Sequence, residues 1–193
     1  GELKPEAIDR VVRAIDGFLA VRDSLSTPDH PVIRTVAVAT SAARDARNAA
    51  DFAARLRERG IELSVIPGAR EAALSFSGAS IDFSGERLMV VDVGGGSTEV
   101  VMGMGGAEPV CAHSFNVGCR RVTEKFLASD PPAPEELARA RAWIHEKMAS
   151  WFAEQSKEAA SLERVVAVAG TATTVVSIRE CMETYDSSRV HKA

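Results

Sequence analysis

Cysteine is scarce in this chain: Cys111, Cys119 and Cys181 are the only three, and no two are spaced as a CxxC pair. An odd, scattered set points away from a disulfide framework and from a cysteine-ligated zinc site, and it suits a reducing cytoplasm. A basic surplus is also lacking, since 23 Lys and Arg stand against 27 Asp and Glu, with a pI near 5.6. That balance argues against a general binder of nucleic acid or of anionic membrane, so an anionic ligand must be held locally. No run approaches the roughly 18 apolar residues of a membrane helix, and no basic segment leads into an apolar signal core. The four histidines form neither an i, i+4 pair nor an HExxH pattern, and no metal is assigned to them. What is present is material for a core: 46% of the 193 residues are hydrophobic, enough for one ordinary domain or two small ones.

Apolar periodicity organises the first half. Pro5 opens a stretch in which Ile8, Val11, Val12, Ile15, Phe18 and Leu19 recur at helical spacing, predicting an amphipathic helix over 5–24. A β-branched run, 32-VIRTVAVAT-40, precedes a second helix marked by Ala49, Phe52, Ala53 and Leu56 and closed by Gly60. The run 61-IELSVI-66 reads as a strand and 69-AREAALSFSGA-79 as a short helix. This alternation predicts an α/β layer with a parallel sheet. Residues 87–115 have a different texture: three strand-like runs joined by glycine-rich turns too short for a crossover, hence an antiparallel meander. A short helix near Arg120–Leu127, a break at 131-PPAP-134, a long helix carrying Trp143 and Trp151 as core or interface residues, a strand 164-RVVAVAG-170 and a helix over 171–182 complete the chain.

Four stretches carry candidate chemistry. In 88-LMVVDVGGGSTEVVMG-103, Gly94, Gly95 and Gly96 let the main chain approach a ligand and turn N–H groups inward as an anion nest, while Ser97 and Thr98 add hydroxyl donors. Asp92 and Glu99 flank the turn and suit a divalent cation or the orientation of a nucleophile. A flexible hairpin loop is the plain alternative. A dinucleotide fingerprint is excluded because a strand, not a helix, follows the glycines. In 166-VAVAGTATTVVSI-178, Gly170, Thr171 and Thr173 stand where a strand runs into a helix, a site of free N–H groups for an anion; alternatively Thr171 merely caps the helix. In 39-ATSAARDARN-48, Arg44 and Asn48 fall one helical turn apart, and Arg44 is either a phosphate clamp or a solvated arginine; Arg120 and Arg121 carry the same ambiguity. Glu71, in 67-PGAREAALSF-76, has nothing local to set it apart from a surface charge.

Taken in order, ATSAARDARN, VIPGAREAALSF, VVDVGGGSTEVVMG, NVGCRRVTEKF, AVAGTATTVVSI and YDSSRVH resemble the exopolyphosphatase / guanosine pentaphosphate phosphohydrolase (Ppx/GppA) family of the actin-like superfamily, over residues 30–193. The resemblance implies an α/β, actin-like (ribonuclease H-like) two-domain fold. It divides the chain into 1–84, part of a first domain, and 85–193, a second. It implies a cytoplasmic, Mg²⁺-dependent hydrolase that releases terminal phosphate from inorganic polyphosphate, or the 5′ phosphate from guanosine pentaphosphate, with no nucleic-acid or membrane partner and with a homodimer left open. A non-hydrolytic phosphate-binding regulatory module is the rival from another class. Residue by residue, Glu71 resembles the general base. Gly94, Gly95, Gly96, Ser97 and Thr98 resemble a phosphate loop, and Asp92 and Glu99 the metal side, with Glu99 also near the water. Arg44, with Asn48 beside it, resembles the arginine that holds phosphate, and Gly170, Thr171 and Thr173 a second phosphate turn.

The chain departs from the family pattern in four places. Arg70 precedes Glu71 where a second glutamate is common, which lowers the basicity of Glu71 if the two are close. Ala73 replaces an arginine, and Pro67 a serine. A first phosphate loop of the Asp-x-Gly-Ser-Asn-Ser kind is missing. The chain therefore reads as an internal piece of a longer protein, with an uncovered apolar edge and with weak or no turnover by itself.

Overall fold

The computed structural model describes residues 1–32 and 34–193, which form two compact units, Gly1–Pro67 and Gly68–Ala193. The division falls at Pro67 rather than at residue 84, because the helix after Pro67 packs on the sheet that follows it in sequence.

In the first unit, helix α1 (Pro5–Leu25) takes its first turn from Pro5 and buries Ile8 and Val12. These meet Leu56 of α3 (Ala49–Arg57) and Ile61, with Ile15, Leu19 and Phe52 packed around them. Gly60 ends the α3 segment at φ +71°, a backbone angle that costs glycine little. Strand β1 (Ala37–Ala39) pairs in parallel with β2 (Leu63–Val65), as the α/β alternation predicts. Of the run 32–40, only Ala37–Ala39 forms a strand, and Ile33 lies outside the described residues. A second apolar stripe on α1, with Val11, Phe18, Val21 and Leu25, stands exposed together with Val36 and Val38 of the β1 run.

The second unit holds a four-stranded sheet in the order β5-β4-β3-β6, from β3 (Arg87–Val93), β4 (Thr98–Met104), β5 (Pro109–Phe115) and β6 (Arg164–Val168). β3, β4 and β5 form the antiparallel meander that the short turns dictate, and β6 joins β3 in parallel. The helix α4 (Gly68–Ser80) covers one face, where Ala72 and Phe76 lock onto Leu88, Val90 and Val101, all five fully buried. Burying a phenylalanine such as Phe76 contributes on the order of 2–3 kcal/mol. The long helix α6 (Pro134–Glu154) covers the other face, setting Trp143, Ile144, Met148 and Trp151 against Val100, Met102, Phe115 and Val117. Both tryptophans are thus packed against the core. With both faces covered, β4 is buried from Thr98 to Gly103, and the carboxylate of Glu99 is buried with it.

Candidate functional site

The register of the β3–β4 hairpin places Asp92 opposite Glu99 and Val93 opposite Thr98, so Gly94–Ser97 is the connection. Side chains alternate across a strand. Leu88 and Val90 face α4, hence so does Asp92; Val101 faces α4, hence so does Glu99, with Ser114 of β5 opposite it. One sheet face is therefore apolar along most of its length and polar at its end, where β3 delivers its carboxyl terminus. Ligands of open α/β sheets collect at that end. The first turns of α4 add Glu71 and Ser75 there, and the Ser75 hydroxyl donates to Asp92 Oδ2 at 2.6 Å.

Like charges directly opposite one another in a sheet repel. Glu99 is 1% exposed, and burial pushes its carboxyl above the ordinary range. The Ser114 hydroxyl, donating to Glu99 Oε1 at 2.5 Å, offsets part of this, and Ser97 offsets less; the charges of Glu71 and Asp92 push it further up. Glu99 thus senses the charges of two other carboxylates at the end of the sheet. Asp92 and Glu99 are hard oxygen donors whose crowding a cation would relieve. Among the described residues no three His, Cys, Asp or Glu side chains form a metal cage.

The loop's amides are oriented by the helix that follows the meander, α5 (Cys119–Phe126). Its first backbone N–H groups do not point into open space. Cys119 N–H donates to the Gly94 carbonyl at 3.0 Å and Arg121 N–H to the Gly95 carbonyl at 3.1 Å. The Arg121 Nε–H takes the Gly96 carbonyl at 2.8 Å. In a planar trans peptide the carbonyl and the next N–H point in opposite directions. Holding three successive carbonyls toward α5 therefore turns the N–H groups of Gly95, Gly96 and Ser97 away from it. Among the described residues none of these three donates to a backbone carbonyl. The result is an anion nest built by its neighbours. Gly94, Gly95 and Gly96 all avoid positive φ. Left-handed backbone freedom is therefore not what the glycines supply; a β-carbon at Gly94 would stand 3.2 Å from the Ser97 carbonyl oxygen, inside a tightly drawn turn.

Gly118 is the point of closest approach between loop and helix. A β-carbon there would stand 2.4 Å from the Gly95 carbonyl oxygen and 2.6 Å from the Gly96 carbonyl carbon, both backbone atoms. Gly118→Ala is therefore expected to push the loop off α5 and weaken phosphate binding by about tenfold or more, the effect of losing one to two hydrogen bonds. Equilibrium binding of polyphosphate, with circular dichroism to verify folding, checks this; unaltered binding would mean that the loop tolerates displacement.

Other predicted residues fare differently. Thr98 does not offer its hydroxyl beside Asp92 and Glu99: it lies on the opposite sheet face and donates to the Val117 carbonyl at 2.5 Å. Arg44 and Asn48 do not share a helical turn, because α2 (Ser41–Arg44) ends at Arg44. Asn48 instead ties down the chain start, accepting from Leu3 N–H at 2.8 Å and donating to the Leu3 carbonyl at 2.9 Å. Arg44 donates through Nη1 to the Ile66 carbonyl at 2.9 Å, within the first unit.

Helix α8 (Ala169–Arg179) begins two residues before Thr171, and its cap position is Val168, with no side-chain cap. Thr171 is thus not the cap. Gly170 and Thr171 lie in the first turn, whose N–H groups lack intrahelical partners. Open space stands where Gly170 would carry a β-carbon, so packing does not require glycine there. Thr173 spends its hydroxyl on the Gly170 carbonyl at 3.2 Å. Ser75, Ser114 and Gly118 belong to the site and went unpredicted; only the strand register, which pairs Glu99 with Ser114, would have signalled the second.

Comparison with known proteins gives a consistent set. A model described as the Ppx/GppA phosphatase family matches residues 1–192. Exopolyphosphatase 2 of Mycobacterium tuberculosis is 37% identical over 202 aligned positions, covering 99% of this chain and 60% of that protein. The crystal structure of the Aquifex aeolicus Ppx/GppA family member is 29% identical with a TM-score of 0.72, covering 97% of this chain and 58% of that one. An exopolyphosphatase from Cytophaga hutchinsonii is 25% identical with a TM-score of 0.83, covering 98% and 60%. The chain spans about 60% of the length of the relatives it matches.

Proposed function

The chain belongs to the Ppx/GppA phosphatase family, and from that premise we propose that the protein releases terminal orthophosphate from inorganic polyphosphate in a Mg²⁺-dependent hydrolysis. The observation that carries this reading is the juxtaposition of an oriented amide nest at Gly95–Ser97 with the carboxylates of Asp92, Glu99 and Glu71. The nest suits phosphate oxygens, and the carboxylates suit a cation and a water molecule.

Phosphoryl transfer asks a protein mainly for positioning and charge stabilisation. The Gly95, Gly96 and Ser97 amides bind oxygens of the terminal phosphate, and the first turn of α8 offers the Gly170 and Thr171 amides as a second set. Glu71 accepts a proton from water as its oxygen attacks the terminal phosphorus; the bond from that phosphorus to the bridging oxygen breaks, and the shortened polyphosphate leaves. Ser75 orients Asp92, and Ser114 orients Glu99. Asp92 and Glu99 would hold Mg²⁺, which when bound would neutralise phosphate charge. No covalent intermediate is required.

Removal of the 5′ phosphate from guanosine pentaphosphate uses the same chemistry and is the alternative substrate. The test is phosphate release by the native protein from long polyphosphate, guanosine pentaphosphate and ATP, each with and without Mg²⁺. Polyphosphate is expected to react fastest and only with Mg²⁺. A preference for guanosine pentaphosphate would reassign the substrate. Inertness toward all three, with retained binding, would replace the hydrolase by a phosphate-binding module.

A further inference from the structure

We propose that Arg121 is a positioning residue for the phosphate loop, acting through the donor at Nε rather than through its charge. This deepens the phosphate-release reading and rests on it for the identity of the ligand. An arginine beside a phosphate loop invites assignment as an anion clamp, but the geometry points elsewhere. Arg121 holds two consecutive loop carbonyls, Gly95 through its backbone N–H and Gly96 through Nε–H at 2.8 Å. The second contact orients the Gly96–Ser97 peptide, turning the Ser97 N–H away from α5 and completing the nest. The side chain contributes to anion binding at one remove, by setting a dipole.

The adjacent residue provides the contrast. Arg120 sits 75% exposed on α5 and pairs along the helix with Glu124 Oε1 at 2.7 Å, the ordinary arrangement of a solvated i, i+4 pair. Two neighbouring arginines in the same first turn therefore have different roles, and net charge near the loop does not distinguish them.

Chain length gives a direct test. Glutamine carries its amide nitrogen at the position along the side chain where arginine carries Nε, but without charge. Lysine keeps the charge and carries it one bond further out. If Arg121 positions the loop through Nε, Arg121→Gln of the native protein is expected to retain kcat/KM for phosphate release from polyphosphate to within about threefold. Arg121→Lys and Arg121→Ala should each lose about tenfold or more, the scale of one hydrogen bond. Arg120→Ala should match the wild type. Protection of the Gly96 and Ser97 amides from hydrogen exchange by bound polyphosphate should follow the same order, greater in Arg121→Gln than in Arg121→Lys. Lysine retaining as much activity as glutamine would overturn the proposal in favour of a charge effect, as would an equal loss in Arg120→Ala. Should the native protein release phosphate from no substrate, the functional reading fails separately and the exchange measurement decides: equal protection by bound polyphosphate in the glutamine and lysine variants overturns the positioning role.

Discussion

Glu71→Gln is expected to lower phosphate release from polyphosphate by about 10²–10⁴-fold, the usual contribution of a positioned general base, while polyphosphate binding stays nearly intact. Glutamine preserves the size of the side chain and the helical position on α4, and it removes the negative charge together with the capacity to accept a proton. Glu71 is well placed for that part: it is half-buried at the polar end of the sheet, and its charge is felt by Glu99. Single-turnover kinetics with a parallel binding isotherm separate the possibilities. A variant that hydrolyses normally would move the base elsewhere. A variant that loses binding and turnover equally would make Glu71 part of the binding surface.

Glu99→Gln is expected to act in opposite directions on activity and stability. Because burial raises the Glu99 pKa in the folded protein, the folded state holds the proton more tightly than the unfolded chain does. The resulting penalty is absent below the ordinary value of 4.5 and develops as pH rises through the raised folded value. Glutamine removes the charge yet leaves an oxygen to accept from Ser114. Thermal unfolding without Mg²⁺ should therefore show the variant more stable by a few degrees at pH 7 and equal to the wild type near pH 4. Phosphate release at pH 7 should fall by about 10²-fold, as expected when a carboxylate that neutralises or orients the reacting groups is lost. A variant less stable than the wild type at pH 7 would show that the buried charge is fully compensated in the folded protein. Such a trade between stability and activity is common where a site concentrates like charges.

Much of the fold was readable locally. The helical spacing of Ile8, Val12, Ile15 and Leu19 defined α1 to within a residue or two, and the short turns between 87 and 115 left antiparallel pairing as the only option. The readings that failed depended on facts without local period. Arg44 and Asn48 are a helical turn apart only if the helix continues, and it stops at Arg44. Thr98 stands beside Ser97 in sequence, yet adjacent strand residues point to opposite faces, so its hydroxyl meets Val117. Thr171 resembles a cap only if the strand runs to Gly170, whereas it ends at Val168.

The sequence by itself determined the order and type of the elements, the glycine connection between Asp92 and Glu99, and, through six motifs in series, the family. These are local or colinear properties, carried by hydrophobic period, turn chemistry and residue identity. Only the tertiary structure decided what that connection presents. Register set Asp92 against Glu99 and Ser114 beside Glu99, burial on both sheet faces raised the Glu99 pKa, and α5 drew three carbonyls to one side. The physical reason is that a glycine loop carries no side chain to encode its own orientation. Its peptides turn whichever way their partners hold them, and those partners, Cys119 and Arg121, lie two full strands further along the chain.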